Sequence, residues 1–353
     1  MTFLHLPSGP PQRATPRRER VLHLALRDEP TDEAQPALEG ALRALGSKGY
    51  QEIDWLALPP AQVEHSFLEA CRTFQPTLVF AQIQTEGILT PSAIVGALLA
   101  LPPGAVVCQW NGDLRERADH ASMRWQLELG QAGMLTLVSN AADPAWLAAA
   151  GAPAAYLQIG YDPVRYTPDG PRDRGAPGVV FLGANYAHLG YDGPLRQELA
   201  IALYEELDGD FAAYGSGWKG PWARGHAFQD QEAALYRSAK VAVGLSLHNN
   251  VARYTSDRAM RALGSGAIYA AKAFPDMEAM GFEAGVNCLV WTDLGDLVAQ
   301  VRDWVDNKAG TPAEVAMRGA AVTTARGRFT WGQRMEELTA IVAAYRQEGG
   351  SNL

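Results

Sequence analysis

Short apolar runs alternate with amphipathic stretches along this chain, stop at a segment rich in proline and glycine, and then resume. Few architectures accept that pattern. The first series runs VLHLALR from Val21, a helical stretch over Gln35–Lys48, EIDWLAL, a helix over Ala61–Phe74, and TLVFAQIQ. It continues with a helix over Pro91–Leu101, AVVCQW, a helical segment over His120–Gln131, MLTLVSN, the helix DPAWLAAAG and the strand AAYLQIG. Strands separated by helices cannot close as hairpins, so the reading is βαβ units around a mostly parallel sheet.

The interruption, Tyr161 to Gly178, carries four prolines and three glycines and reads as an exposed linker. A second series follows: GVVFLG, a helix over Leu195–Leu207, DFAAYG, a helix over Gln231–Ala239, VAVGLSL, a short helix, AIYAA, and CLVWT with a helix over Leu294–Asn307. The expected organisation is a disordered tail over 1–19, a Rossmann-like domain over 20–160, the linker, and a second Rossmann-like domain over 179–329. A last helix over 330–347 is expected to cross back to the first domain.

A length of 353 residues suits two such domains, and 47% hydrophobic with 20% charged residues is ordinary for a globular chain. A net charge of −9 argues against non-specific nucleic-acid binding by the whole surface, although the basic tail Arg13–Arg20 leaves DNA open as a partner. Cys71, Cys108 and Cys288 are isolated in apolar contexts, with no zinc spacing, and read as buried thiols. Prolines and arginines at the amino terminus exclude a signal-peptide pattern. The apolar run Ala93–Val107 is broken by Pro102, Pro103 and Gly104, so no membrane span is expected and a cytoplasmic location is.

The stretch from Val241 to Ala271 carries most of the chemistry. A buried strand, the polar residues His248, Asn249 and Asn250, and the N-cap residues Thr255 and Ser256 lead into a helix from Asp257 to about Leu263, closed by Gly264 and Gly266. Such a corner offers backbone N–H groups and a positive dipole end to a phosphate. Arg253, Arg258 and Arg261 add charge. An arginine in a helix's first turn is disfavoured by the dipole, which makes Arg258 the foremost candidate for a diphosphate contact. A surface ion pair is the alternative.

The run SDRAMRALGSGA, followed by FPDMEAMGFEAGVNCLVWTDLGDLVAQV, resembles the donor-binding half of GT-B glycosyltransferases, in particular the spore-maturation-type, CgeB-like group. IGYDPVRYTP resembles the junction between the two domains of that fold. The resemblance implies an α/β fold of GT-B type, two Rossmann-like domains facing a central cleft, and metal-independent transfer from a nucleotide-sugar donor. That donor is expected to be a UDP-sugar rather than a GDP-sugar. Arg261 stands where many of these enzymes carry a ribose-binding glutamate. The resemblance also places a nucleobase beside Gly225, Ala227 and Phe228.

Ligands of doubly wound sheets bind at the carboxyl ends of the strands. On that rim the expected donor-binding residues are Gly183, Asn185, Gly215, Lys219, Phe228, His248, Asn249, Arg253, Tyr254, Thr255 and Ser256. The segment QWNGDLRE resembles the acceptor side, giving Trp110, Asn111 and Arg115 that role. Asp113 reads either as the general base of an inverting transfer or as a turn residue after Asn111 and Gly112. Trp110, Trp218 and Trp222 fall in expected rim loops, where indoles could stack on sugar or base or pack the loop. Asp208-Gly209-Asp210 has the form of a metal motif but reads as a turn. The acceptor stays open among a glycan, a small molecule, a protein and a hydroxymethylated DNA base. A non-catalytic sugar-nucleotide binding module and a nucleotide-sugar epimerase are the alternatives.

Overall fold

The computed structural model describes residues 19–27, 35–113, 120–228 and 230–350. The chain divides into two compact units, one formed by residues 1–159 with 331–353 and the other by 160–330. The tail expected over 1–19 lies outside the described residues except for Glu19. That residue is buried, and its carboxylate accepts from Arg346 at 2.8 Å.

The first unit contains β1 (Arg20–Ala25), α1 (Gln35–Leu45), β2 (Gly49–Asp54), α2 (Pro60–Phe74), β3 (Leu78–Ala81), α3 (Pro91–Ala100), β4 (Val106–Asn111), α4 (His120–Gln131), β5 (Leu135–Val138), α5 (Asp143–Ala149) and β6 (Ala154–Tyr156). Its six strands are parallel in the order β2-β1-β3-β4-β5-β6. Alternate residues of β4 serve two cores. Val107 packs with α2 and α3, whereas Val106, Cys108 and Trp110 pack with Leu38 and Leu42 of α1. The helix α12 (Trp331–Gln347) joins that second core through Trp331, Met335, Leu338, Ile341 and Val342.

The second unit contains β7 (Val179–Leu182), α6 (Gly193–Glu206), β8 (Phe211–Tyr214), α7 (Asp230–Ser238), β9 (Val241–Gly244), α8 (Asp257–Gly264), β10 (Tyr269–Lys272), α9 (Met277–Met280), β11 (Leu289–Trp291), α10 (Leu294–Asp303) and α11 (Pro312–Arg328). Its five parallel strands run β11-β10-β9-β7-β8. Residues of β7, β8 and β9 are all buried, as strands covered on both faces require. Gly244 closes β9 because a Cβ there would lie 1.8 Å from the Tyr269 hydroxyl oxygen. The chain leaves β7 toward β8 on one side and returns to β9 on the other, so the switch point of this sheet falls between β7 and β9.

Two features depart from the sequence reading and a third agrees with it. The strand expected to run through Leu247 ends at Gly244, which releases Leu245–Leu247 into the loop. The helix α11 was not expected, although Thr311, Pro312 and Glu314 form an ordinary helix start. Asp208 and Gly209 adopt positive φ values of 49° and 85°, a turn at the amino end of β8, and Asp210 Oδ1 accepts from the Gly178 N–H at 2.6 Å. That places the acidic pair at the sheet edge opposite the strands' carboxyl ends. Among the described residues no group of three or more His, Cys, Asp or Glu is arranged to hold a metal, and no helix is long and apolar enough to cross a membrane.

In the first unit a polar chain ties β1 to its two neighbours. His23 Nε2 lies 2.7 Å from Gln82 Oε1 and Nδ1 lies 2.9 Å from the Tyr50 hydroxyl, which donates to Glu52 at 2.7 Å. Arg27 donates to the other Glu52 oxygen at 2.7 Å. The His23 imidazole, opposed by burial and helped by Tyr50 and Arg27, holds the Glu52 carboxyl down at about 2. A lowered carboxyl pKa contributes stability that is complete above the unfolded-state value of about 4.3, and that is lost as pH falls through the folded one. Urea midpoints followed from pH 7 to pH 2 should therefore fall less steeply for Glu52→Gln than for the native protein. Parallel curves would contradict this account of Glu52.

Candidate active site

The loops that follow β7 and β9 flank the switch point of the second sheet. Ser256 has extended backbone (φ −69°, ψ 150°) and caps α8, with its hydroxyl facing the Arg258 N–H at 3.5 Å. Its own N–H donates to the Ser246 hydroxyl at 3.1 Å, which fixes the start of α8 against the loop leaving β9. The expected helix start at Thr255 and Ser256 is thus the one observed. The first turn of α8 directs its N–H groups and the positive end of its dipole outward from that cap.

Arg258 sits in this first turn and is partly exposed. Its guanidinium lies over Gly183 at the end of β7, where an added Cβ would be 3.1 Å from both Cζ and Nη1. Gly183 has a φ of 149° and its N–H donates to the Tyr214 carbonyl at 2.7 Å. Gly215 packs on it so closely that a Cβ would come within 2.4 Å of the Gly183 carbonyl oxygen. Close backbone approach thus requires glycine at 215, whereas at 183 it is the left-handed φ and the Arg258 side chain that favour it. Among the described residues the Arg258 side chain makes no hydrogen bond or ion pair. The Asp257 carboxylate beside it is taken by Arg261. Burial works to raise the Asp257 pKa, but Arg261 and Arg258 outweigh it and hold the group below the usual range.

A second guanidinium occupies the same corner, and sequence reasoning missed it. Arg196 of α6 is 1% exposed and donates to the Ala184 carbonyl at 2.6 Å and the Leu245 carbonyl at 3.0 Å. It therefore bridges the loops after β7 and β9, with its guanidinium 4.8 Å from the centre of the Tyr186 ring. Burial and the neighbouring Arg258 push its pKa down to about 9, so it remains charged at neutral pH. The signal that could have found it is the one that found Arg258. Arg196 lies in the opening turn of its helix, where the dipole disfavours a cation.

Other expected donor residues are placed less simply. His248 is buried, its ring 4.2 Å from Tyr191 and 6.0 Å from Tyr254. Asn249 is buried and its amide donates to Asp192 and to the Ser246 carbonyl, each at 2.7 Å, so it ties the loop to the start of α6. Asn185 donates to Gln197 at 2.8 Å and accepts from the Ala187 N–H at 2.9 Å, holding its own loop. Thr255 is buried and Tyr254 half-buried. Arg253, in left-handed backbone at φ 53°, stands 3.4 Å from the Asp276 carboxylate. Lys219 is exposed on the loop after β8. Phe228 is 46% exposed and stacks on His226 at 5.1 Å and 5°, which presents a flat apolar surface.

Arg261 does not line this corner as an available cation. It pairs with Glu232 at 3.0 Å and with Asp257, and the Tyr166 hydroxyl donates to the same Glu232 oxygen at 2.6 Å. Its charge joins α7, α8 and the segment before β7.

Of the two roles open to Trp218 and Trp222 the structure shows packing, and the acceptor-side role expected of Trp110 is corrected. Trp218 is 8% exposed and donates to the Gly183 carbonyl at 2.7 Å, Trp222 is 8% exposed in the core, and neither has a face for a sugar. In the first unit Trp110, expected on the acceptor side, is 4% exposed, donates to Leu157 and packs edge-on to Trp331 at 5.2 Å. It is a core residue because its side chain belongs to the same face of β4 as Cys108. Asn111 is buried and its Oδ1 accepts from the Asp113 N–H at 3.2 Å, so the turn is capped by the asparagine. The Asp113 carboxylate is exposed just past the carboxyl end of β4. Arg115 lies outside the described residues.

Each unit is a parallel sheet covered by helices, and the fold is that of the GT-B glycosyltransferases. Residues 196–340 match the family model described as glycosyl transferase-like. No curated protein matches the chain. HepE of Anabaena, solved with UDP and glucose, is similar with a TM-score of 0.57 at 13% identity, covering 91% of this chain and 99% of that one. A glycosyltransferase from Rickettsia africae gives a TM-score of 0.62 at 8% identity over 91% of this chain and 97% of its own. A protein from Listeria monocytogenes described as a putative UDP-N-acetylglucosamine 2-epimerase gives 0.56 at 12% identity over 93% and 96%.

Proposed function

We propose that this chain is a glycosyltransferase that moves a sugar from a nucleotide-diphosphate sugar to an acceptor hydroxyl. The observation that carries the reading is the pair Arg196 and Arg258. Two guanidiniums stand at the switch point beside a capped helix start, and among the described residues neither makes an ion pair. Placing like charges there is unfavourable until an anion arrives. When the glycosidic bond breaks, the departing diphosphate gains negative charge, and Arg258 with the first amides of α8 would stabilise it. On this reading the transfer is metal-independent, since the positive charge at the leaving group comes from protein.

The stack of His226 and Phe228 offers the surface for a nucleobase, and UDP is the expected nucleotide. Complexes of the similar HepE with UDP and glucose support that choice. The run from Ser256 to Ala267, with Arg258 at its start, supports the spore-maturation-type subgroup. Buried unpaired thiols at Cys71, Cys108 and Cys288 suit a reducing compartment and a cytoplasmic location. Asp113 is proposed as general base for the acceptor, because its carboxylate is exposed past the end of β4. The acceptor class is open, and a steep salt dependence of duplex binding would select DNA.

One observation favours a second reading, a GT-B-like module that binds sugar nucleotides without catalysis. Arg261 occupies the position at which the resemblance expects a ribose-binding glutamate, and its side chain is committed to Glu232 and Asp257.

Release of nucleoside diphosphate from a panel of sugar nucleotides, with and without candidate acceptors, separates the two. On the proposed function Arg258→Ala lowers kcat by roughly a hundredfold, the scale for loss of one preorganised charge-stabilising donor. Release from no sugar nucleotide, or an unaltered rate in that variant, rules the assignment out. Asp113→Asn is expected to lower kcat while leaving donor KM near the native value, and an unchanged kcat removes Asp113 from the mechanism.

A further inference from the structure

Several arginines of the second unit spend their N–H groups on main-chain carbonyls. Arg318 donates to the Ala239 carbonyl at 2.8 Å and to that of Gly266, and Glu314 balances its charge at 2.6 Å. Arg237 donates to Pro171 at 2.8 Å and Thr167 at 3.0 Å, with the Asp230 charge supporting it. Arg196 differs. Its partners are two carbonyls and the faces of Tyr186 and Phe181, its Nε is buried without a partner, and the ionic neighbour that bears on it is Arg258, of like sign. A structural staple would be better served by a charge with a carboxylate beside it, because an uncompensated buried ion is costly.

The position of the two carbonyls explains the arrangement. Ala184 follows Gly183 and Leu245 follows Gly244, so both carbonyls lie just beyond the strand ends that border the switch point. They are acceptors for whichever guanidinium reaches them, and that of Arg258 already lies against Gly183. We propose that Arg196 is a positioning residue: by occupying the Ala184 and Leu245 carbonyls and repelling Arg258, it keeps the Arg258 guanidinium unspent for the donor's diphosphate. Arg196, at 1% exposure, acts through Arg258 and does not itself touch the ligand. The proposal rests on the donor-site reading given above.

A double-mutant cycle on UDP binding, measured by calorimetry, tests it. Arg258→Met is expected to weaken UDP binding by roughly ten- to a hundredfold, the loss of a charge-assisted hydrogen bond. Arg196→Met is expected to weaken it on the same scale, because Arg258 then turns to the vacated carbonyls. Combining the two should bind UDP no more weakly than Arg258→Met alone. Arg196→Lys keeps the charge and recovers part of the affinity while Arg258 is present. If Arg196→Met does not fold, the same cycle is run with Arg196→Lys, which leaves one carbonyl open, and the expectation of non-additivity is unchanged. Losses that multiply in the double variant, or native affinity in Arg196→Met, overturn the proposal alone. Native protein that binds neither UDP nor GDP, or Arg258→Met with native affinity, overturns the donor-site reading and this proposal with it.

Discussion

Two adjacent parallel strands whose connections leave in opposite directions cannot seal the gap between their loops with main-chain hydrogen bonds. In the second sheet that gap lies between β7 and β9, and the surrounding sequence answers it with small residues and charge. Gly215 lets its backbone approach that of Gly183 to a distance that a Cβ would forbid, Gly183 leaves room for the Arg258 guanidinium, and Ser256 ends the loop by capping α8. Arg196 then crosses the gap from α6, taking one carbonyl on each side. The corner's shape therefore depends on a buried cation, and its positive potential follows from the same residue.

Charge elsewhere in the second unit is disposed differently. Arg261, Arg318 and Arg253 each face a carboxylate, and these pairs join helices or loops. At the switch point, by contrast, Arg196 and Arg258 stand at one corner, and among the described residues neither makes an ion pair. The first unit has its own polar chain through His23, Tyr50 and Glu52, but there each charge is answered within the fold. Its exposed candidate is the Asp113 carboxylate, beside an asparagine that caps the turn.

Much of this was legible from residue order alone. Buried parallel strands are apolar on both faces, so the runs at β7, β8 and β9 announced themselves, and the capping residues before Asp257 located α8 to the residue. Local signals of that kind survive folding. What sequence could not show was which side chains are spent on each other. Trp218 and Trp222 occur among turn residues and Trp110 stands next to a turn at the end of β4, yet each is turned inward, because burying a large indole outweighs the polarity of its neighbours. Asn249 looked available and is consumed by Asp192 and Ser246, the former 57 positions away. Arg196 carried one readable sign, its place in the opening turn of α6, but the Ala184 and Leu245 carbonyls that occupy it come from two separate loops. The helix α11 differs, because its start is written locally in Thr311 and Pro312.

On the proposed function, the corner where β7, β9 and the start of α8 meet receives a diphosphate. Titrating isotopically labelled protein with UDP while following backbone amide and arginine side-chain resonances tests it directly. The account predicts saturable shifts at Gly183, Ser256 and Asp257 together with the Arg258 guanidinium, and inorganic pyrophosphate should move the same set. Saturable binding that leaves these resonances still, and moves others instead, would contradict it.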